Sequence, residues 1–336
     1  MRLVLRLAFS GIALSLTSFA LPPTALEEPT LGQLDPAPAQ LAFSDSNLWV
    51  DTEDRDAVIS LVESTEDLEQ ADLDWTGSHD QCEAGQSSDE LREQTIDRVN
   101  FYRALAGVPA VVTENPEFSE KAQAGALTMS AEGELSHEPT PDFACLGEFG
   151  AEAAANSNLY LGRTGPAAID GYIEDPGETN NVVGHRLTVL HPPTREMGVG
   201  HTAAVGDRFA SNVLWVFDDL VFDDWGTIRE EQDFVAWPAR GYITEELVYP
   251  RWSFSLNDSG FANADVSVTV NGEPVELEVV ARTADISQVP PPVIVWEPQI
   301  DFDTLSGVDT EFEVTVSGVD TPTGVESYSY TVTVIS

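Results

Sequence analysis

The 336-residue sequence predicts an α+β protein in which a helix-and-strand domain over residues 86–225 precedes an all-β domain over residues 226–336. Two observations support this prediction. Between residues 88 and 174, apolar residues recur at helical spacing in three segments. From about residue 226 the spacing changes to strict alternation, which is typical of strands with one buried face. Within the first domain the helices precede two strands, which favours an α+β or three-layer arrangement with a cleft.

The first 20 residues are predicted to be a signal peptide. Arg2 and Arg6 precede an apolar stretch from Leu7 to Phe19, and Ser18-Phe19-Ala20 offers small residues to a signal peptidase. We therefore expect the mature chain to be secreted, periplasmic or at the cell surface. No later run is long and apolar enough to suggest a membrane span.

Residues 21–85 are predicted to be an acidic, proline-containing leader that is largely disordered. Five prolines lie between Pro22 and Pro38, and ten acidic residues stand against the single Arg55 between Asp51 and Asp74. Such a segment buries too little apolar surface to offset its chain entropy. Two apolar stretches, 41–50 and 58–62, are candidates for docking onto the domain that follows.

Three helices are predicted from their start and stop signals. The first begins at a capping box, Ser87-Ser88-Asp89-Glu90, with Ser87 as the N-cap, and ends at Gly107. The second begins at Asn115-Pro116 and ends at Gly133. The third begins at Pro166, after Gly165, and leads into a turn.

Strands are predicted in both domains. In the first domain they cover 196–202 and 212–217, and the second of these is apolar on both faces, which favours a central position in its sheet. In the second domain Asn271-Gly272 separates two alternating runs and predicts a hairpin. Six or seven short strands over about 110 residues fit a β-sandwich of immunoglobulin-like size.

The net charge and the cysteine content of the chain limit the classes of function that it can have. The chain has 58 acidic and 15 basic residues, a formal net charge of −43, which argues against nucleic-acid binding. Its acidity favours solubility in saline surroundings over a dedicated cation store. Cys82 and Cys145 are the only cysteines, and in an exported chain they predict one disulfide.

Two histidines, His137 and His185, follow predicted helices and are candidates for a metal or acid–base site. Imidazole is a common metal ligand and titrates near neutrality. The alternative is that each histidine only hydrogen-bonds a loop. His191 and His201 are interpreted as ordinary loop or rim residues, and His79 has no evident partner in the leader.

Five short motifs follow one another between about residues 86 and 220. They are Arg98-Val99-Asn100-Phe101-Tyr102-Arg103-Ala104-Leu105-Ala106-Gly107-Val108-Pro109, Leu135-Ser136-His137, Gly184-His185-Arg186, Met197-Gly198-Val199-Gly200 and Leu214-Trp215-Val216-Phe217. With these motifs in this order, the segment resembles the CAP superfamily of cysteine-rich secretory, antigen 5 and pathogenesis-related proteins, also called SCP-like domains, in its secreted bacterial form.

The resemblance implies an α–β–α sandwich whose cleft holds two histidines and two acidic residues and takes a divalent metal. His137 and His185 match the histidines, and Asp175 matches one acidic position. Ser157 replaces the other carboxylate, for which Glu152 is a candidate substitute. Two histidines and one acid still suit Zn²⁺ with an open coordination position.

Three functions remain open. The first choice is a binding protein that takes a small hydrophobic ligand, a glycan, or a peptide or protein partner. The alternative is a hydrolase that uses water on a metal held by His137 and His185. Against it, the sequence has no His-Glu-x-x-His pair, no Gly-x-Ser-x-Gly elbow and no cysteine nucleophile. The third function is that of a structural envelope or matrix protein with a vestigial cleft.

Overall fold

Helices and short strands alternate through the first part of the chain, and strands dominate the second. A computed structural model describes residues 49–66, 69–223, 225, 228, 233–283, 291–301 and 307–336. The predicted signal peptide and residues 21–48 lie outside the described residues. The helices are α1 (Arg55–Glu66), α2 (Asp89–Ala106), α3 (Pro116–Glu132), α4 (Glu148–Asn156), α5 (Pro166–Glu174) and α6 (Gly184–Val189). No helix among the described residues combines the length and the apolar character needed to cross a membrane.

The described part of the leader is ordered, which corrects the expectation of disorder there. Helix α1 buries Val58, Leu61 and Val62, which recur at helical spacing. Just before this helix, the carbonyl of Thr52 accepts a hydrogen bond of 2.6 Å from the backbone N–H of Tyr242. Val58, Leu61 and Val62 belong to the stretch 58–62 that the sequence offers as a docking candidate. Three well-spaced apolar residues are enough to bury one face of a short helix, even in an acidic segment.

The predicted caps of the two long helices are largely confirmed. Helix α2 begins one residue later than expected, because Ser88 rather than Ser87 accepts a hydrogen bond of 3.2 Å from the N–H of Leu91. It ends at Gly107, whose φ of 74° is the left-handed conformation that glycine adopts at low cost. Helix α3 starts after Asn115 and ends at Gly133, as predicted.

Sequence reasoning missed the two short helices α4 and α6. Helix α4 starts after Gly147, which offers no capping side chain, and helix α6 spans only six residues after Val183. Neither segment is long enough to show a clear apolar period. Their positions depend on tertiary contacts instead of local signals.

The first sheet has the order β1-β3-β4-β2. Its strands are β1 (Thr113–Glu114), β2 (Ser157–Leu161), β3 (Glu196–Thr202) and β4 (Ser211–Trp215). Strand β4 pairs antiparallel with β3 and with β2, and all five of its residues are buried. The predicted central position of this strand is confirmed.

Helices contact both faces of this sheet. Consecutive residues of a strand point to opposite faces of the sheet. On one face, Gly200 of β3 lies directly against the backbone of Ala122 in α3. The imidazole of His201, on the other face, lies 3.3 Å from Thr95 Oγ1 in α2. Helix α5 reaches the same face, since Tyr172 Oη donates to Asn212 Oδ1 at 2.7 Å.

The second half contains two further sheets, ordered β10-β11-β7-β5 and β6-β13-β12-β8-β9. Their strands are β5 (Phe234–Trp237), β6 (Gly241–Thr244), β7 (Trp252–Leu256), β8 (Asp265–Val270), β9 (Glu273–Pro274), β10 (Leu277–Arg282), β11 (Val293–Pro298), β12 (Thr310–Thr321) and β13 (Gly324–Ile335). The predicted turn at Asn271-Gly272 is present, but it joins β8 to the two-residue strand β9 and not to the whole of the second alternating run. The chain then crosses over, and β10 belongs to the other sheet.

Apolar side chains that alternate along the strands of the second half are buried, as expected for strands with one buried face. They are Trp252, Phe254, Val268, Val295, Val314 and Tyr330. Rings from the two sheets contact each other, as in the pair Trp252–Phe312 at 5.7 Å between centroids. The C-terminal strands do not extend the first sheet.

The two halves nevertheless share a core. The described residues from Trp49 to Ser336 belong to one compact unit, and its largest apolar cluster holds residues from both halves. Tyr102 of α2, for example, packs at 5.4 Å between ring centroids against Trp237 of β5. The predicted boundary near residue 226 therefore separates the first sheet from the other two sheets, but it does not divide the apolar core.

Candidate histidine cleft

Asp175 organises the first half of the candidate site. It ends α5 in the left-handed conformation, with φ 52°, and its side chain is fully buried. Its Oδ2 accepts backbone N–H groups of His185 at 3.0 Å and Arg186 at 3.4 Å, while Oδ1 lies 2.8 Å from His185 Nδ1. The carboxylate therefore holds both the start of α6 and the His185 imidazole.

His137 is positioned from the opposite side. It follows Gly133, the end of α3, and its Nδ1 lies 2.8 Å from the carbonyl oxygen of Ala154 in α4. Helix α4, which sequence reasoning missed, is therefore the element that orients this imidazole.

The two imidazoles line the same cleft, which has a volume of about 440 Å³. Asp175 also lies in its wall, and apolar and aromatic surface comes from Leu159, Leu161, Tyr160 and Tyr172. A smaller hollow of about 320 Å³ adjoins it and contains both histidines together with Ser157. The Ser157 hydroxyl is buried and has no hydrogen-bond partner among the described residues.

The hydrogen bonds determine which nitrogen of each imidazole carries the proton. A carbonyl oxygen only accepts, so His137 Nδ1 must donate to Ala154. Asp175 accepts from backbone N–H groups as a carboxylate, so His185 Nδ1 donates to it as well. In each neutral ring, Nε2 is then an unprotonated acceptor on the side away from the anchoring bond. Neither Nε2 has a hydrogen-bond partner among the described residues.

Glu152 does not belong to the cleft, which corrects its candidacy as the fourth member. Its carboxylate lies on the exposed side of α4, 2.9 Å from Lys121 Nζ. Glu152 and Asn156 are one helical turn apart, whereas His137 contacts the opposite side of the helix at Ala154. The register of α4 therefore directs this acid to solvent.

The predicted zinc ligand set does not fit these side chains. Asp175 already accepts three hydrogen bonds, and Glu152 pairs with Lys121. Within the described ranges, no three His, Cys, Asp or Glu side chains come together as a metal-binding set. Two imidazole nitrogens alone fall short of the three protein ligands of a catalytic zinc site.

Two arginines connect the cleft to the second half of the chain. Arg251 donates from one guanidinium nitrogen to the carbonyls of Asp175 at 3.2 Å, Gly177 at 2.8 Å and Asn180 at 3.1 Å, and it pairs with Glu297. The buried Arg186 side chain donates to the carbonyl of Arg251 at 2.8 Å. Sequence reasoning missed Arg251, because only the fold brings it to a loop some 70 residues upstream.

Replacing Arg251 by alanine is expected to loosen the 175–183 loop, since three of its carbonyls lose their shared donor. Amide hydrogen exchange of this loop should accelerate at least tenfold relative to the intact protein, a change of about 1.4 kcal/mol in opening free energy. Arg282→Ala is the matched control, because that arginine bonds only within the second half. Equal loop exchange in both variants would contradict the assigned role.

The remaining histidines are buried, so none of them lies on the rim of the cleft. His191 lies in the loop after α6, whereas His201 lies within β3. His201 is fully buried between Thr95 and Asn212, and burial lowers its pKa to about 3. Burial, aided by the nearby Arg103, also lowers the pKa of His191 to about 4. His79, expected to have no partner, lies 2.8 Å from Ser130 Oγ.

The protein is expected to lose stability between pH 6.5 and pH 5. Because the folded pKa values of His191 and His201 are depressed, the unfolded chain takes up protons first as pH falls. Each histidine then costs about 2 kcal/mol at pH 5 relative to pH 6.5. Asp97, whose folded pKa is raised, offsets a small part of this cost, because solvent screens its partly exposed carboxylate.

Urea unfolding at pH 7 and at pH 5 measures this loss, for which we expect a net fall of about 3 kcal/mol. The variant His191→Asn should show a smaller fall, because one of the two titrating side chains is gone. Equal unfolding free energies of the intact protein at the two pH values would contradict the prediction.

Two comparisons with known proteins were made, and the one that found a match covers the first half of the chain. A search of curated proteins found no significant match. Residues 96–218 match the family model of CAP, the cysteine-rich secretory protein family. The matched segment begins within α2 and holds the rest of that helix, α3 to α6, the first sheet and both cleft histidines. Residues 96–218 of this chain are therefore similar to the CAP family.

Proposed function

We propose that this chain is a secreted binding protein that takes an uncharged ligand into the histidine cleft. The observation that carries the proposal is the pair of oriented imidazoles. In each of them Nδ1–H already donates a hydrogen bond within the protein, and Nε2 is left as an acceptor for a ligand. Two preorganised acceptors suit a ligand with two hydrogen-bond donors, such as hydroxyl or amide groups.

The rest of the wall supports an amphipathic ligand. Tyr160, Leu159 and Leu161 offer apolar surface beside the imidazoles. The net charge of −43 disfavours anionic ligands. Export of the chain is part of the proposal, and its support is the Cys82–Cys145 disulfide, which suits an oxidising compartment.

The proposal is tested with three probes that represent the candidate ligand classes: chitotriose for a glycan, triglycine for a peptide and cholesterol for a lipid. Binding is followed in protein labelled with ¹⁵N-histidine, through the ring nitrogen signals of His137 and His185. We expect one probe class to shift both Nε2 signals together. The unliganded spectrum should show both rings protonated at Nδ1.

The variant with both His137→Ala and His185→Ala should lose this binding at least tenfold, whereas the exposed neighbour variant Glu138→Gln should retain it. Retention of affinity by the double variant would overturn the proposal. If none of the probes binds, the structural role in an envelope or matrix becomes the better proposal.

A second candidate is a hydrolase, which the Asp175–His185 pair favours. A carboxylate that orients an imidazole through Nδ1 leaves Nε2 positioned to accept a proton from water or a hydroxyl. Hydrolysis of p-nitrophenyl acetate that disappears in His185→Ala but persists in His137→Ala would favour this candidate. An unchanged background rate in both variants would count against it.

A further inference from the structure

A separate cavity lies where α1, α2 and α5 meet the short helical turn Glu245–Leu247 of the second half. Its volume is about 290 Å³. Val62, Phe101 and Leu247 form apolar parts of its wall, and none of its described lining residues belongs to the histidine cleft. It is therefore a distinct site, formed jointly by the leader helix and both halves of the chain.

Asp97 lies in the wall of this cavity without a matching positive charge. Its carboxylate has no hydrogen bond or ion pair with any residue that the structure describes. Partial burial, and then repulsion from Glu93 one turn earlier on α2, raises the pKa of Asp97 to about 6. A carboxylate so placed is costly, because it has lost part of its hydration and gained no partner.

The one basic residue in the described wall, Arg98, already has an acidic partner. Arg98 Nε donates to Asp170 Oδ1 at 2.7 Å, and a terminal nitrogen of its guanidinium reaches Thr65 Oγ1 at 3.3 Å. The guanidinium also lies over the Phe101 ring, 4.3 Å from the centroid. Asp170 balances this charge, so the described wall keeps two uncompensated carboxylates, those of Asp97 and Glu246.

We propose that this cavity binds a small organic cation, with a protonated amine against Asp97 and an apolar body against Val62, Phe101 and Leu247. The amine supplies the positive charge that Asp97 lacks, and the apolar body removes hydrocarbon surface from water. A cavity of this kind, mostly apolar with a few convergent polar groups, is typical of small-molecule sites. The proposal is independent of the function of the histidine cleft.

Isothermal titration calorimetry at pH 7.5 and physiological salt tests the proposal with three probes of similar shape: benzylammonium, benzyl alcohol and benzoate. We expect benzylammonium to bind at least tenfold more tightly than benzyl alcohol, and benzoate not to bind. Equal affinity for the ammonium and the alcohol would overturn the proposal, because the cavity would then recognise apolar shape alone.

The variant Asp97→Asn locates the interaction. It should reduce benzylammonium affinity to that of benzyl alcohol, whereas Glu90→Gln, an exposed acid on the same helix, should leave it unchanged. The Asp97→Asn protein should also unfold at a higher temperature at pH 7.5, because it no longer buries an unpaired charge. Equal losses in both variants would indicate general attraction to an acidic surface and would overturn the proposal.

The pH dependence gives a further check. Affinity for benzylammonium should fall as pH is lowered from 7.5 to 5, because Asp97 takes up a proton near pH 6. The other charged groups around it are Glu93 on α2, the Arg98–Asp170 pair and Glu246. In Asp97→Asn the affinity should not change over this range, and a fall as large as in the intact protein would assign the effect to another acid and overturn the role of Asp97.

Discussion

Replacing both Cys82 and Cys145 by serine is expected to lower the free energy of unfolding by about 4 kcal/mol, the largest effect of any change considered for this chain. The two residues are 63 positions apart and their Cα atoms lie 5.1 Å apart in the disulfide. Without the bond, the unfolded chain regains the freedom of a long loop. The folded state keeps the segment before α2 against the loop after α3 only by weaker contacts.

Urea unfolding of the double variant and the intact protein, both without reductant, measures this difference. The intact protein treated with reductant is the matched control, and it should approach the stability of the double variant. Thiol titration of the denatured, unreduced protein should find no free thiol. Equal unfolding free energies with and without the bond would contradict the prediction.

Replacing Gly200 by alanine is expected to destabilise the fold by about 3 kcal/mol, the upper end of the usual cost of overpacking. A Cβ atom at this position would lie 2.3 Å from the backbone carbon and oxygen of Ala122. Backbone atoms in the middle of α3 cannot move aside singly, so the whole helix would have to shift away from β3.

Gly147→Ala is the matched control, because a Cβ there meets no atom within 4 Å. We expect that variant to lie within about 0.5 kcal/mol of the intact protein, as for substitutions away from packed sites. Urea unfolding of both variants measures the contrast. A similar small loss in each would show that α3 adapts to the added methyl group.

Much of the local structure could be predicted because local chemistry is sufficient for it. The two ends of α3 were predicted from Asn115, which precedes Pro116, and from Gly133. An N-cap and a glycine in the left-handed conformation at the C-terminus involve only neighbouring residues. The disulfide needed no geometry, because only two cysteines were available. The alternation of apolar residues identified the core side of the C-terminal strands in the same way.

The site was less predictable, because its members act through partners that are distant in sequence. His137 and His185 line one cleft, but the bonds that orient them come from Ala154 and Asp175. Glu152 had a suitable position in the sequence, yet the register of α4 turns it to Lys121 and solvent.

The sequence by itself determined the α+β composition, the helix boundaries set by caps and the disulfide, because each depends on residue type and short-range spacing. The two cleft histidines were identified through the resemblance to the CAP superfamily. The tertiary structure alone decided what α1 docks against, that Asp175 is an internal cap rather than a free ligand, and that Arg251 from the second half holds the cleft loop. These outcomes depend on which backbone groups and charges meet after the chain has folded. The spacing of residues along the sequence does not show which of these groups come into contact.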